Sequence, residues 1–166
     1  RENGMVDRRT DMMQTLEEGA ARTITFFKSL PPADLDRTVY VDDVHWTVRQ
    51  VLAHFITIEK SMQWLFRNML DGGPGSPQDF DLERFNRTQP AKLDGLSLEE
   101  LIERFEAVRG ETVAIVSDMA DSDFDRVGRH PFHGTDRLER FIRWADEHAR
   151  LHELDIRGVL KAARES

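Results

Sequence analysis

The sequence contains no cysteine among its 166 residues, which excludes disulfides, thiolate metal ligands and a cysteine nucleophile. It also lacks an apolar run near the roughly 20 residues that cross a bilayer, and its N-terminus lacks the basic-then-apolar pattern of a secretion signal. No cluster of Lys or Arg is present to neutralise a phosphate backbone, and the net charge is −8. We therefore expect a soluble, cytoplasmic protein that binds neither membranes nor nucleic acid.

The apolar residues that are present repeat with the period of an α-helix. Hydrophobic residues make up 39% of the sequence, which is enough for one core, and the length of the chain favours one domain over residues 1–166. No segment alternates with a period of two, so we expect little or no sheet. The sequence predicts an all-α four-helix bundle, with helices over roughly residues 7–30, 47–70, 97–119 and 136–163.

Two of these helices have recognisable first residues. Thr47 is followed three positions later by Gln50, and Ser97 is followed by Glu100, which is the spacing of a capping box. The connections 31–46 and 71–96 are long enough to run back along a helix, so an up-down-up-down order is not required. The second connection is either a mobile surface loop or a cover over a binding site. We assign no function to the first four residues, Arg1–Gly4.

Three histidines are candidate metal ligands. His148 and His152 lie one turn apart on one face of the last predicted helix, at or inside its apolar arc. His54 lies at the margin of the apolar arc of the second helix. If all three reach the interior, they supply three ligands and leave one coordination position open, as catalytic sites do. The alternative is that they are core or surface histidines satisfied by hydrogen bonds, although burying several unpaired imidazoles is costly.

Two charged residues also fall at apolar positions. Glu59 lies inside the apolar arc of the second helix, and Arg109 lies at the margin of the inner stripe of the third. They either form a buried structural ion pair or serve the site directly. In the second case Glu59 would orient a ligand or take a proton, and Arg109 would clamp an anionic group.

The remaining histidines and one tryptophan lie in connections. His45 and the stretch 130–133 are expected to be solvated loop residues, although they could line the mouth of a pocket. Trp46 is expected to pack on the start of the second helix rather than to contact a substrate. Trp64 lies off the apolar arc of the same helix, which is compatible with a homodimer.

Two segments and the four-helix layout resemble the DinB-like superfamily, which includes YfiT-type metal-dependent hydrolases. They are residues 45–55, with a Trp-Thr start followed by His54, and residues 148–156, with the His-x-x-x-His pair. The resemblance covers nearly the whole chain. It implies a bundle in down-up-up-down order with long crossover loops, and it implies that His54, His148 and His152 are the metal ligands. The superfamily also contains thiol-dependent enzymes, such as mycothiol-dependent maleylpyruvate isomerase and bacillithiol transferases, on the same triad.

These observations predict a divalent-metal enzyme that acts on a small molecule. Three neutral imidazoles suit zinc or nickel first and iron next. The open position would activate water, as in a hydrolase, or a low-molecular-weight thiol, as in a transferase, with Glu59 and Arg109 as the candidate catalytic residues. The alternative is a non-catalytic bundle of stress-response type that binds a metal or a small ligand.

Overall fold

The computed structural model describes residues 7–166, so the segment Arg1–Gly4 lies outside the described residues. The described chain is mainly helical, and four long helices lie within a few residues of the predicted ranges. A fifth, short helix lies in the connection between the second and third long helices. The helices are α1 (Arg8–Lys28), α2 (Val48–Leu70), α3 (Leu82–Thr88), α4 (Leu98–Ser117) and α5 (Leu138–Glu165).

The helix starts follow from side chains that accept hydrogen bonds from backbone N–H groups. Thr47 caps α2 and exchanges hydrogen bonds with Gln50 in a complete capping box. The side chain of Ser97 accepts a hydrogen bond from the backbone N–H of Glu100 at the start of α4. Both predicted N-caps are confirmed.

The four long helices run in the predicted down-up-up-down order. Both α4 and α5 pack against α1 and α2. One hydrophobic cluster joins the end of α1, the starts of α2 and α4 and the end of α5, and a second cluster joins the four opposite ends. Thus α1 and α5 point one way and α2 and α4 the other, which requires long crossovers. The prediction of an all-α bundle with this order is confirmed.

Two short antiparallel hairpins interrupt the helical pattern. One pairs β1 (Thr38–Tyr40) with β2 (Trp46–Thr47), and the other pairs β3 (Val127–His130) with β4 (Gly134–Arg137). Strands of two to four residues are too short to show alternation in the sequence. Each hairpin leads directly into a long helix, the first into α2 and the second into α5.

A similar turn precedes each of the two hairpins. Residues 34–37 read Asp-Leu-Asp-Arg and residues 123–126 read Asp-Phe-Asp-Arg. Each stretch forms a 3₁₀ turn, and the carbonyl oxygen of its final Arg accepts a hydrogen bond from the first residue of the next long helix, at 3.0 Å from Val48 and 2.8 Å from Leu138. The same turn therefore fixes the starts of α2 and α5, the helices that carry the three histidines.

The connection 71–96 is structured. It contains α3 and a 3₁₀ turn over Pro90–Leu93 that packs on α2. Between residues 7 and 166, none of the helices has the length and apolar character needed to span a membrane.

Candidate metal centre

The three predicted ligands meet at one point between α2 and α5. The Nε2 atom of His148 lies 3.0 Å from Nε2 of His54 and 2.9 Å from Nε2 of His152. One ligand atom from each of the three residues lies within 4.8 Å of the others. The i,i+4 spacing on α5 and the antiparallel packing of α2 against α5 produce this convergence.

The donor set fits a divalent ion. A neutral imidazole nitrogen carries either one proton or one lone pair, so Nε2 of His148 can match only one of its two neighbours by hydrogen bonding. The remaining contact joins two groups that do not match. Three imidazole nitrogens around a tetrahedral zinc ion lie roughly 3.3 Å apart. The observed spacing is close to that value, and a cation at the centre would satisfy all three nitrogens at once.

Burial keeps the three imidazoles neutral. It lowers the pKa of His54 well below its ordinary value, and His152 lowers it further. Burial also lowers the pKa of His148 well below its ordinary value, with the other histidines of the centre adding to the effect. For His152, burial lowers the pKa to about 4, although Asp155 opposes the shift. At neutral pH the nitrogens can therefore offer lone pairs to a metal without first losing a proton.

Two tryptophans hold the imidazole planes. Trp46 stacks on His54, with ring centroids 4.4 Å apart, and Trp144 stacks on His148 at 4.3 Å. The expectation that Trp46 packs only on the start of α2 is incomplete, because its ring also reaches His54. Trp144 was not predicted to contact the site, although its position four residues before His148 places both on one helix face.

An open cleft of about 450 Å³ lies over the triad. Its walls are largely apolar and aromatic, with charged and amide side chains among them, and come from α2, α3, α5 and both hairpin connections. Phe132 is 67% exposed and lines the cleft, so one residue of the stretch 130–133 contributes to the pocket mouth. The expectation of a solvated loop residue is wrong for His130, which is buried at the end of β3. His45 is exposed, and the lining residues are Asp43, Val44, Trp46, His54, Ile58, Leu82, Glu83, Asn86, Arg87, Phe132, Trp144, His148, Leu151 and His152.

Glu59 and Arg109 form a buried ion pair. The Nε atom of Arg109 donates to both carboxylate oxygens of Glu59, at 3.1 and 3.0 Å, and both residues are almost fully buried. Thr112 donates a further hydrogen bond to Glu59 at 2.8 Å, and Arg109 donates to the carbonyl oxygens of Leu16 and Ala145. The structure thus brings the two residues together as the structural alternative describes. A catalytic role for either stays a prediction.

The ion pair lies behind the triad rather than in the cleft. Glu59 and Arg109 line a separate void of about 10 Å³ that also touches His148 and Trp144. A void of this size holds about one water molecule. The void and the cleft share three lining residues, Ile58, Trp144 and His148, which separate the pair from the cleft.

Solved structures share this fold. YfiT from Bacillus subtilis, described as a probable metal-dependent hydrolase with an unusual four-helix bundle topology, superimposes with a TM-score of 0.70 at 20% identity, covering 98% of this chain and 91% of YfiT. The Sibling Lethal Factor precursor DfsB superimposes with a TM-score of 0.71 at 17% identity, covering 94% of this chain and 96% of DfsB.

One structural neighbour corrects the expectation about nucleic acid. The colibactin self-resistance protein ClbS, solved in complex with double-stranded DNA, superimposes with a TM-score of 0.69 at 10% identity, covering 97% of this chain and 98% of ClbS. The prediction that nucleic acid is not a partner of this chain is therefore wrong as an exclusion. Net charge describes the whole surface, whereas a DNA contact needs only one suitable patch.

Sequence comparison identifies the family. The uncharacterised protein YuaE of Bacillus subtilis (strain 168) is 23% identical over 157 residues, which cover 89% of this chain and 96% of YuaE. The sequence profile of the DinB superfamily matches residues 15–156, a span that includes all four long helices in whole or in large part and all three histidines of the centre. The chain belongs to the DinB superfamily.

Proposed function

We propose that this protein is a divalent-metal-dependent enzyme that hydrolyses a small ester or amide. The observation that carries the proposal is the convergence of three neutral imidazole nitrogens on the floor of an open cleft. Zinc or nickel suits three imidazoles best, with iron next. The description of YfiT as a probable metal-dependent hydrolase supports the same reaction class.

Different residues would bind the ion, orient its ligands and hold the substrate. His54, His148 and His152 would hold the ion, which when bound lowers the pKa of a coordinated nucleophile toward neutrality. Trp46 and Trp144 fix the planes of two imidazoles and form apolar walls beside them. The cleft would hold the apolar part of a substrate against these walls, so that its reacting carbon lies beside the three Nε2 atoms.

Transfer of a low-molecular-weight thiol is the second candidate, and one observation favours it. The carboxylates that line the cleft, Asp43 and Glu83, are both exposed, whereas Glu59 is paired with Arg109. Hydrolysis profits from a positioned base that takes a proton from water. A thiol ionises more readily than water and therefore depends less on such a base.

The test begins with protein purified without a histidine tag. Elemental analysis is expected to find a divalent metal in the wild-type protein and His45→Ala, and little in His152→Ala. Reloaded protein is then given an activated aryl ester, or a small thiol with an electrophile. Metal-dependent turnover of either substrate that disappears in His152→Ala supports the corresponding reaction. Binding of metal without any turnover would favour the non-catalytic bundle, and equal metal in all variants would refute the site.

Three other expectations stay predictions. A small-molecule substrate follows from the volume of the cleft, and a cytoplasmic location follows from the composition. A homodimer is compatible with the outer face of α2, where Trp64 is 55% exposed. Sedimentation of Trp64→Lys beside the wild-type protein would test the dimer.

A further inference from the structure

A hydrogen-bonded chain links one histidine of the centre to an exposed carboxylate. The hydroxyl oxygen of Tyr40, on β1, lies 2.6 Å from Nδ1 of His152 and 2.5 Å from a carboxylate oxygen of Asp155. The three residues come from two distant parts of the sequence, with Tyr40 separated by 112 positions from His152. The tyrosine therefore lies directly behind the imidazole, on the side opposite the triad.

The direction of each hydrogen bond follows from counting protons. An ionised carboxylate only accepts, and a phenol has one proton to give, so Tyr40 donates to Asp155. Its oxygen must then accept from His152, which places the imidazole proton on Nδ1. A phenol ordinarily ionises only near pH 10, so Tyr40 has its proton to donate at neutral pH.

We propose that Asp155 and Tyr40 are positioning residues that fix His152 as the Nδ1–H tautomer and so present its Nε2 lone pair to the triad. This inference rests on the proposed function in treating the triad as a metal centre. Groups that hydrogen-bond to metal-ligating histidines fix the tautomer and the ring orientation, and their loss typically weakens metal binding by about ten- to a hundredfold.

The two other histidines of the centre are held differently. In the described part of the chain, Nδ1 of His54 is buried without a hydrogen-bond partner, and its ring is instead stacked on Trp46. His148 is stacked on Trp144. Stacking restrains a ring plane but does not choose which nitrogen carries the proton. Tyr40 therefore fixes the tautomer of His152, whereas the tryptophans restrain only the ring planes of His54 and His148.

The hairpin formed by β1 and β2 combines both kinds of restraint. Tyr40 and Trp46 are paired across it, with ring centroids 6.1 Å apart at an interplanar angle of 79°. One face of the hairpin thus contacts His152 through a hydrogen bond and His54 through a stacked ring. Ligands from α2 and α5 are braced by the same short element.

The first experiment measures the tautomer in metal-free protein. Nitrogen-15 NMR of the histidine side chains is expected to show His152 almost entirely as the Nδ1–H form in the wild-type protein. In Tyr40→Phe the Nε2–H form should become substantially populated. Because no metal is present, this measurement tests the hydrogen bonds from Asp155 through Tyr40 to His152 even if the proposed function fails. A His152 tautomer that is the same in both proteins would overturn the inference.

The second experiment measures zinc affinity by competition with a chromophoric chelator. Tyr40→Phe is expected to bind zinc about ten- to a hundredfold more weakly, and Asp155→Asn should show a smaller loss. Because Asp155 acts through Tyr40, the double variant should bind no more weakly than Tyr40→Phe alone. Additive losses, or wild-type affinity in Tyr40→Phe, would contradict the proposal.

A matched control separates this effect from general loss of charge or structure. Asp36→Asn removes an exposed carboxylate whose partner is Arg49 at 3.8 Å, and it should leave zinc affinity and the His152 tautomer unchanged. If Tyr40→Phe does not fold, Asp155→Asn still decides through both readouts, since its side chain is exposed. If the wild-type protein binds no divalent ion, the proposed function fails while the tautomer result stands separately.

Discussion

The Glu59–Arg109 pair and the histidine triad are buried polar centres that differ in how well their hydrogen-bonding groups are matched. In the Glu59–Arg109 pair, the carboxylate accepts from Arg109 and Thr112, and the guanidinium donates to two further carbonyl oxygens. In the triad, three Nε2 atoms face one another and one contact has no matching proton. A matched centre is complete as it stands. An unmatched one would be completed by the ion that we propose for it.

Helix α2 therefore carries one residue with a structural role, Glu59, and one candidate metal ligand, His54. Glu59 and His54 both lie on its buried side, five residues apart. Buried charges that are paired stabilise a fold chiefly in the sense that breaking the pair is costly. Buried neutral imidazoles that are not paired cost stability in the metal-free protein and recover it on binding an ion.

The largest expected effect is on the matched centre. Arg109→Met leaves Glu59 buried without its cation, and the free energy of unfolding should fall by about 3–5 kcal/mol. Urea denaturation of the metal-free protein measures this loss. The double variant Glu59→Gln/Arg109→Met should recover much of it, because no charge is left unpaired.

The same variant decides the catalytic alternative for Arg109. If stability is almost unchanged and the KM for an anionic substrate rises about ten- to a hundredfold, Arg109 contacts substrate and the structural interpretation of the pair is wrong. The structural interpretation predicts that zinc affinity, measured at low temperature, is close to that of the wild-type protein.

The next effect concerns the unmatched centre. His148→Ala should weaken zinc binding at least about a hundredfold, since it removes a ligand rather than a group behind one. The metal-free variant should be close to the wild-type protein in stability, because a poorly matched buried group is lost. Calorimetric titration and urea denaturation give the two values. If His148→Ala lowered both the zinc affinity and, by several kcal/mol, the free energy of unfolding, the triad would be a structural centre like the Glu59–Arg109 pair.

A smaller effect should appear in the pH dependence of the metal-free protein. Burial lowers the pKa of His130 to about 3 and of His152 to about 4, below their values in the unfolded chain. The unfolded chain then binds more protons below about pH 6.5, and stability should fall by up to about 1.4 kcal/mol per pH unit for each such histidine. Above about pH 6.5 the contribution is fully present.

Urea denaturation at pH 7 and pH 5.5 measures this slope. His130→Asn retains a side-chain acceptor for the backbone N–H groups of Phe132 and His133 and should flatten the slope by about one proton. His45→Ala is the control, because His45 is exposed. A slope that is independent of His130 would show that its imidazole is already protonated in the folded protein.

The smallest effect on the fold should come from chelation. The two hydrophobic clusters pack all four helices together without any ligand, so a strong chelator should lower Tm but leave the protein folded at room temperature. Thermal melts followed by circular dichroism, with and without chelator, measure the shift. Unfolding in chelator at room temperature would mean that the ion, and not the apolar core, holds the bundle together.

The sequence was sufficient for the elements whose signals are local. The caps at Thr47 and Ser97 and the spacing of His148 and His152 depend on residues three or four positions apart, and periodic apolar residues mark each long helix. The helix order came from the resemblance to a superfamily, whereas the three candidate ligands came first from their positions on two helix faces, and the resemblance implied the same set. Local patterns cannot show which helices lie side by side.

The features that the sequence did not predict depend mainly on contacts between residues far apart in the chain. Tyr40 contacts His152 only because a hairpin packs on α5, and nothing in its own neighbourhood indicates this. Trp144 had a local signal, its position four residues before His148 on α5. The short strands were not predicted because tertiary contacts, and not periodicity, define them. Helix α3 was assigned to a connection because its seven residues carry too little amphipathic pattern to be distinguished from a loop.

Calorimetric titration of metal-free, tag-free protein with zinc tests most directly whether the three histidines act as one centre. The geometry predicts one ion per chain, and it predicts that His54→Ala, His148→Ala and His152→Ala each weaken binding at least about a hundredfold while His45→Ala does not. Absence of binding in the wild-type protein, or retention of full affinity in any one of the three variants, would contradict the existence of a three-histidine metal centre.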